Sequence, residues 1–108
     1  MKKAFLLFIL ALCSIALFAQ KVDWFWVKKA GGTSYDSSSS IAVDANGNSY
    51  VTGYFYGSAT FGTTTLTSSG GSDIFVAKLD INGNWLWAKQ AGGTDNDFGY
   101  GIAVDANG

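Results

Sequence analysis

The heptapeptide Ile-Ala-Val-Asp-Ala-Asn-Gly at residues 41–47 recurs without a change at residues 102–108, an offset of 61 positions. The same offset extends outward and aligns the Trp-x-Trp at residues 24–26 with the Trp-x-Trp at residues 85–87. Between residues 24 and 47, fifteen of 24 positions agree, whereas average residue frequencies give roughly one or two by chance. The chain therefore contains an internal repeat whose period equals this offset.

The repeat has the pattern of an all-β unit. Short runs of apolar and β-branched residues are separated by turn residues, and no helical stripe follows residue 20. The predicted strands are residues 39–44, 49–56, 73–80 and 84–90. Asn-Gly sequences predict tight hairpin turns at residues 44–47 and 81–83. Residues 60–67 predict an extra small hairpin, bounded by the Ser-Ser-Gly-Gly of residues 68–71.

The strands do not alternate cleanly between apolar and polar residues, which indicates a sheet covered on both faces. A blade of a β-propeller lies between two neighbours and has this property, whereas a β-sandwich, the alternative, does not naturally repeat at a fixed period. We expect antiparallel four-stranded blades, with one complete repeat and parts of two neighbours. By alignment, residues 24–30 are the outermost strand of another blade, and we expect them to close the ring of a longer protein of which this chain is an N-terminal fragment.

Three segments then resemble a known family. Residues 41–53, residues 73–80 and residues 82–87 are similar to the bacterial β-propeller repeat called SBBP. The resemblance covers essentially all of the chain after residue 19. It implies a secreted or surface-exposed propeller, and it carries no catalytic residues over to this sequence.

Residues 1–19 have the pattern of a signal peptide. Two lysines precede an uncharged apolar run from Ala4 to Ala19, which is short for a permanent bilayer span. Cys13 allows the alternative of a lipoprotein signal, but Leu12 occupies a position that normally holds a small residue. We therefore predict a signal-peptide helix at residues 1–19, a repeat region at residues 20–108, and export to the medium or cell surface.

Composition excludes several kinds of chemistry. Residues 20–108 contain no Cys, His, Arg, Glu or Pro, and their five lysines and eight aspartates give a net charge of −3. Nucleic-acid binding needs clustered positive charge, which is absent from the sequence. No Ser/His or Cys/His arrangement is present either. We expect no enzyme activity, no catalytic or metal-binding residues, no cofactor, no nucleic-acid partner and no membrane span after signal cleavage.

Two sets of aspartates are candidate sites. Residues 44–48 and 80–84 are oxygen-rich, but each has one carboxylate and no closing Glu, so hairpin turns are favoured over calcium loops. Asp95 and Asp97, with Asp36 in the other copy, lie in Gly- and Thr-rich connections. They are interpreted as solvated turn caps rather than a catalytic pair.

The aromatic residues are candidates for a carbohydrate platform. The tryptophan pairs of residues 24–26 and 85–87 recur two positions apart, which predicts that both rings of a pair lie on one strand face. Because packing repeats in every blade whereas a ligand site is usually made once, the tryptophans are assigned to packing, and Tyr54 and Tyr56 likewise.

The sequence therefore predicts a non-catalytic scaffold that binds an unknown protein or glycan and packs against further blades. Two alternatives stay open: a module of a secreted polysaccharide-degrading enzyme, and a truncated fragment without function.

Overall fold

A computed structural model describes residues 23–108, which form one antiparallel sheet of four strands. The strands lie side by side in chain order, and their bounds are β1 Asp36–Val43, β2 Ser49–Phe61, β3 Thr64–Leu79 and β4 Trp85–Ala91. The predicted all-β, four-stranded antiparallel unit is confirmed. Nothing in the described range forms a helix of the length and hydrophobicity needed to cross a membrane. The predicted signal-peptide helix, residues 1–19, lies outside the described residues.

The central hairpin is longer than its sequence pattern predicts. The segment expected to form a separate small hairpin is instead a continuation of β2 and β3, which pair from Phe61 and Thr64 at the tip down to Ser49 and Leu79. The register jumps once, because Gly57 faces residues 68–71 on the other strand. Gly57 donates its N–H to Ser68 Oγ over 3.1 Å at this point. The predicted excursion is therefore an extension of the same four-stranded sheet, with a bulge at its base.

Two turns of the same construction close the other end of the sheet. In the first, Asp44 Oδ1 accepts the N–H groups of Asn46 and Asn48 at 2.9 and 3.0 Å, and Oδ2 accepts the Asn48 amide at 3.0 Å. Asp80 makes the same three bonds in the second turn, at 2.9 Å each. Gly47 and Gly83 supply φ values of 83° and 81°. The prediction of two tight hairpin turns is confirmed.

These carboxylates make the turns sensitive to acid. Burial raises the pKa of Asp44, but hydrogen bonds from Asn48, Tyr50 and Asn46 outweigh it and lower the pKa below its usual value. The backbone N–H and side chain of Asn84 lower the pKa of Asp80. A lowered folded-state pKa stabilises the fold fully above the unfolded value of about 4, and this stabilisation is lost as pH falls through the folded value.

We therefore expect the free energy of unfolding to decrease as pH is lowered from about 5 towards 2. The Asp44→Asn/Asp80→Asn double variant should show a flatter dependence over this window, because neither turn then carries a titrating carboxylate. Urea unfolding at a series of pH values measures the slope, with the exposed Asp95→Asn as control. A double variant with the slope of the unchanged chain would contradict the assignment.

One face of the sheet carries the apolar core. Phe55 and Ala77 are completely buried there, Phe61 and Phe75 pack with ring centroids 4.9 Å apart, and Ala88 completes the layer from β4. Burying a large apolar side chain contributes roughly 1.5–3 kcal/mol each. We call this side the core face.

Flanking segments lie against both sides of the sheet. On the core face, Gly31 exchanges two backbone hydrogen bonds with Thr60, at 3.1 and 2.9 Å, and Trp26 donates its indole N–H to the Ile81 carbonyl over 2.9 Å. A cavity of about 380 Å³ lies between this segment and the sheet. On the opposite face, Gly99 and its neighbours follow β4 back across β2 and β3. The expectation that residues 24–30 form a strand of another blade stays a prediction.

The internal repeat is visible in local hydrogen bonds. Asp36 Oδ2 accepts the Gly32 N–H over 2.9 Å, and Asp97 Oδ2 accepts the Gly93 N–H over 2.8 Å. The two heptapeptides nevertheless differ in conformation: residues 41–43 belong to β1, whereas residues 102–104 form no strand. Residues 41–43 pair with residues 49–51, whereas residues 102–104 pair with no strand among residues 23–108. The shared sequence therefore fixes the turns and caps, while strand formation depends on the partner.

Candidate functional site

Five aromatic side chains gather at the end of the sheet where β1 begins and β4 ends. Tyr54 and Tyr56 lie two positions apart on β2, so both point away from the core face. Tyr35 immediately precedes β1, and Phe98 and Tyr100 follow β4. We call these five residues the aromatic cluster.

Backbone contacts hold the outer members of the cluster against the sheet. The N–H of Tyr56 donates to the carbonyl of Tyr35 over 3.0 Å, which fixes the segment before β1. Asp97 donates its N–H to the Ser72 carbonyl over 2.8 Å, and Ser72 Oγ donates back to the Asp97 carbonyl over 3.0 Å. The chain is therefore anchored directly before Phe98.

Gly99 allows the anchored segment to lie flat on the sheet. A Cβ atom at this position would come within 2.6 Å of Thr52 Oγ1, 2.9 Å of the Gly53 carbonyl oxygen and 3.0 Å of Ile74 Cγ2. Any other residue would lift the backbone from β2 and β3. This close approach places Phe98 directly beside Tyr54.

The rings form one connected surface. Tyr54 and Phe98 meet edge to face with centroids 4.7 Å apart, a spacing at which aromatic pairs attract. Tyr35 lies 6.2 Å from Tyr54 and 6.4 Å from Tyr56, and Tyr100 lies 6.1 Å from Phe98. The cluster therefore consists of neighbouring rings rather than isolated exposed aromatics.

The cluster is open to solvent at its edges. Tyr100 exposes 75% of its surface, Tyr35 exposes 65% and Phe98 exposes 37%, while Tyr54 and Tyr56 are half-buried beneath them. Contiguous exposed aromatic surface is a common mark of a binding site. The half-buried pair fixes the platform, and the exposed rings are available for contact.

The phenol groups of the cluster add hydrogen-bonding capacity without charge. The hydrogen bond between the side chains of Tyr35 and Tyr54 raises the pKa of Tyr35 above its usual value of 10.0. Tyr35 is therefore neutral at physiological pH, and its hydroxyl can donate or accept a hydrogen bond.

The outer members of the cluster are not part of the repeat. At the repeat offset, Tyr35 corresponds to Asn96, Phe98 to Ser37, and Tyr100 to Ser39. Residues that pack every blade must recur, whereas a binding site is made where one blade departs from the others. Sequence reasoning assigned Tyr54 and Tyr56 to packing and did not single out the other three. The departure of these three positions from the repeat is the sequence signal that distinguishes them.

The side chains of the second tryptophan pair, Trp85 and Trp87, lie on opposite faces of the sheet. The prediction that Trp85 and Trp87 lie on one face is wrong: Trp85 packs edge to face on Phe61 of the core, 5.4 Å between centroids, whereas Trp87 lies 6.3 Å from Tyr50 on the opposite face. A shift in the β3–β4 register places Leu86 as an extra residue between them. Both Trp85 and Trp87 contact other aromatic rings, as a packing role requires.

The two tryptophans of the first pair, Trp24 and Trp26, also differ in burial. Trp26 is half-buried, and its ring lies against Gly83, where an added Cβ would approach within 2.6 Å. Trp24 exposes 89% of its surface. Trp24 therefore contributes little to packing within residues 23–108.

The candidate aspartates occupy three environments. Asp36 and Asp97 cap backbone N–H groups as predicted, but both are half-buried rather than fully solvated. Asp95 is exposed. Asp44 and Asp80 direct their carboxylates to their own turns, and the Tyr50 hydroxyl adds a fourth bond to Asp44 over 3.1 Å. Within residues 23–108, no three His, Cys, Asp or Glu side chains come together as a possible metal site.

The chain is similar to known repeat proteins. Residues 26–54, which include β1 and the first part of β2, match the SBBP family of β-propeller repeats. The chain is similar to an uncharacterized WD repeat-containing protein of Acanthamoeba polyphaga mimivirus, with 30% identity over 98 positions. That alignment covers 74% of this chain and 7% of the viral protein. These matches support a β-propeller repeat in this chain, of the SBBP type over residues 26–54.

Proposed function

We propose that this chain is part of an exported, non-catalytic propeller that binds a neutral glycan through the aromatic cluster. The observation that carries the proposal is the set of exposed rings that the repeat does not share, Tyr35, Phe98 and Tyr100. Export is supported by the signal-peptide pattern of residues 1–19, and a scaffold role by the residue types absent after residue 19.

The chemistry of the cluster favours a sugar over a charged ligand. The C–H faces of a pyranose ring are apolar and pack on aromatic rings, while its hydroxyls form hydrogen bonds with phenol groups. The cluster consists of tyrosines and one phenylalanine, Phe98, and none of these side chain types carries a charge at neutral pH. A peptide or nucleic acid selected by charge would gain little from this surface.

Packing against further blades is the second part of the proposal. The cavity on the core face is lined by apolar side chains, among them Ile41, Val51 and Phe61. Ile41 and Val43 of β1 remain 62% and 59% exposed. A neighbouring sheet placed there would bury these side chains, as successive blades do in a propeller.

The glycan proposal is tested by retention of the full chain on insoluble cellulose, chitin and xylan. We expect at least one of these neutral polysaccharides to retain the protein. Tyr35→Ala and Tyr100→Ala should each weaken binding roughly 2–10-fold, the equivalent of about 0.5–1.5 kcal/mol for one aromatic contact. Tyr35→Phe keeps the ring and should retain most of the affinity.

Phe25→Ala is the matched control, because Phe25 exposes 91% of its surface and lies outside the cluster. Equal loss on substitution of Phe25 would show that binding is a general property of exposed aromatics. Absence of retention on all three polysaccharides would reject the glycan and leave a protein ligand.

A further inference from the structure

The exposed rings of the aromatic cluster do not share one plane. The ring of Tyr54 is tilted by 32° from Tyr35 and by 89° from Phe98. The planes of Tyr35 and Phe98 therefore differ by at least 57°, the difference between those two angles. Phe98 and Tyr100 are closer to parallel, at 31°. We call the ring of Tyr35 the first contact surface, and the rings of Phe98 and Tyr100 the second.

Separate parts of the backbone hold the two contact surfaces at this inclination. Tyr35 is fixed before β1, where its carbonyl accepts the Tyr56 N–H over 3.0 Å. Phe98 follows Asp97, whose N–H and carbonyl are both bonded to the sheet. Tyr54 lies half-buried between the two surfaces and meets Phe98 edge to face, an arrangement that attracts aromatic rings. The inclination is therefore part of the folded sheet.

One short ligand chain can reach both contact surfaces. The ring centroid of Tyr54 lies 6.2 Å from that of Tyr35 and 4.7 Å from that of Phe98. The centroids of Tyr35 and Phe98 are therefore no more than 10.9 Å apart, the length of the path through Tyr54. Neighbouring sugar units of one polysaccharide chain span such a distance. Tyr35 and Phe98 expose 65% and 37% of their surfaces, so both are accessible to them.

A flat glycan can stack on only one of the two contact surfaces. A sugar packs with its C–H face parallel to an aromatic ring, and in crystalline cellulose or chitin these faces lie in one plane. Such a plane cannot be parallel to both Tyr35 and Phe98. In a single chain outside a crystal, rotation about the glycosidic bonds turns successive sugar units relative to one another. A twisted chain therefore matches rings that face in two directions.

We propose that the aromatic cluster binds a single twisted polysaccharide chain, with one sugar unit on Tyr35 and another on Phe98 and Tyr100. This inference rests on the glycan function proposed above and specifies the form of glycan that is bound. A flat crystalline face would lose one of the two contacts, which corresponds to binding about 2–10-fold weaker.

The proposal is tested by adsorption isotherms of the full chain on crystalline and amorphous cellulose, on crystalline and amorphous chitin, and on xylan. The two forms of one polymer contain the same sugar and differ in flatness. For a polymer that binds, we expect a dissociation constant about 2–10-fold lower on the amorphous form. Equal or tighter binding to the crystalline form would overturn the inference and leave the glycan function standing. Absence of binding to all five materials would reject both.

Substitutions on the two contact surfaces test whether one chain uses both. On xylan or the amorphous polymer that binds best, Tyr35→Ala and Tyr100→Ala should each weaken binding about 2–10-fold. The double variant should weaken it by about the product of the two factors. Phe25→Ala is the control, because this exposed ring lies outside the cluster. Unchanged affinity in either single variant would show that one surface suffices, and would overturn the proposal.

Discussion

Replacing Phe55 with alanine is expected to destabilise the sheet by about 3–5 kcal/mol, the range for truncating a buried aromatic in a packed core. Phe55 is completely buried at the centre of the core face, and Val51, Ala59 and Phe75 belong to the same cluster. Truncation would leave a cavity that these neighbours, fixed by strand pairing on both sides, cannot close.

Equilibrium urea unfolding followed by tryptophan fluorescence measures this effect, with an unchanged m value showing that the denatured state is unaffected. Phe25→Ala is the matched control, because it removes the same atoms from a side chain that is 91% exposed. It should change stability by less than about 0.5 kcal/mol. Similar losses in the two variants would show that Phe55 is not part of a cooperative core.

Substitution of Gly53 by alanine is expected to separate β1 from β2. The added Cβ would lie 1.9 Å from the Ser37 carbonyl oxygen and 2.8 Å from Ser38 Cα, so the β1 backbone itself must move. The register of β1 shifts next to this point, between Ser38 and Ser40, where β1 approaches Gly53. Because backbone cannot rotate away as a side chain can, we expect a loss of about 3 kcal/mol or more.

Hydrogen exchange locates this effect within the sheet. The amides of β1 should lose protection in Gly53→Ala, while those of β3 and β4 keep theirs. Gly101→Ala is the control, because no atom lies within 4 Å of a Cβ at that position. Retained protection at Ile41 and Val43 in Gly53→Ala would contradict the close approach.

The strands and both turns could be predicted from the sequence because their determinants are local. Asp80 and Asn84, like Asp44 and Asn48, complete their turns within one short segment, so the chemistry is visible in the order of amino acids. The small hairpin was predicted as a separate element because the register jump opposite Gly57 depends on pairing between strands. The extra residue at Leu86, which turns Trp87 to the other face, depends on pairing in the same way.

The candidate site depends on the return of the chain across the sheet after β4. Phe98 reaches Tyr54, 44 positions earlier in the sequence, because Gly99 permits close contact with β2 and β3. No periodicity in the sequence encodes that path. The departures from the repeat at Tyr35, Phe98 and Tyr100 are readable in the sequence, although their proximity to one another is not.

The two ends of the sheet differ in how freely they can change. At one end, each Asp-x-Asn-Gly-Asn turn closes with bonds among its own members, so a substitution there damages the hairpin itself. At the opposite end, Tyr35 and Tyr100 rest on an anchored backbone and do not hold the strands together. Side chains at that rim can therefore differ from one copy of the repeat to the next, while the sheet beneath keeps its architecture.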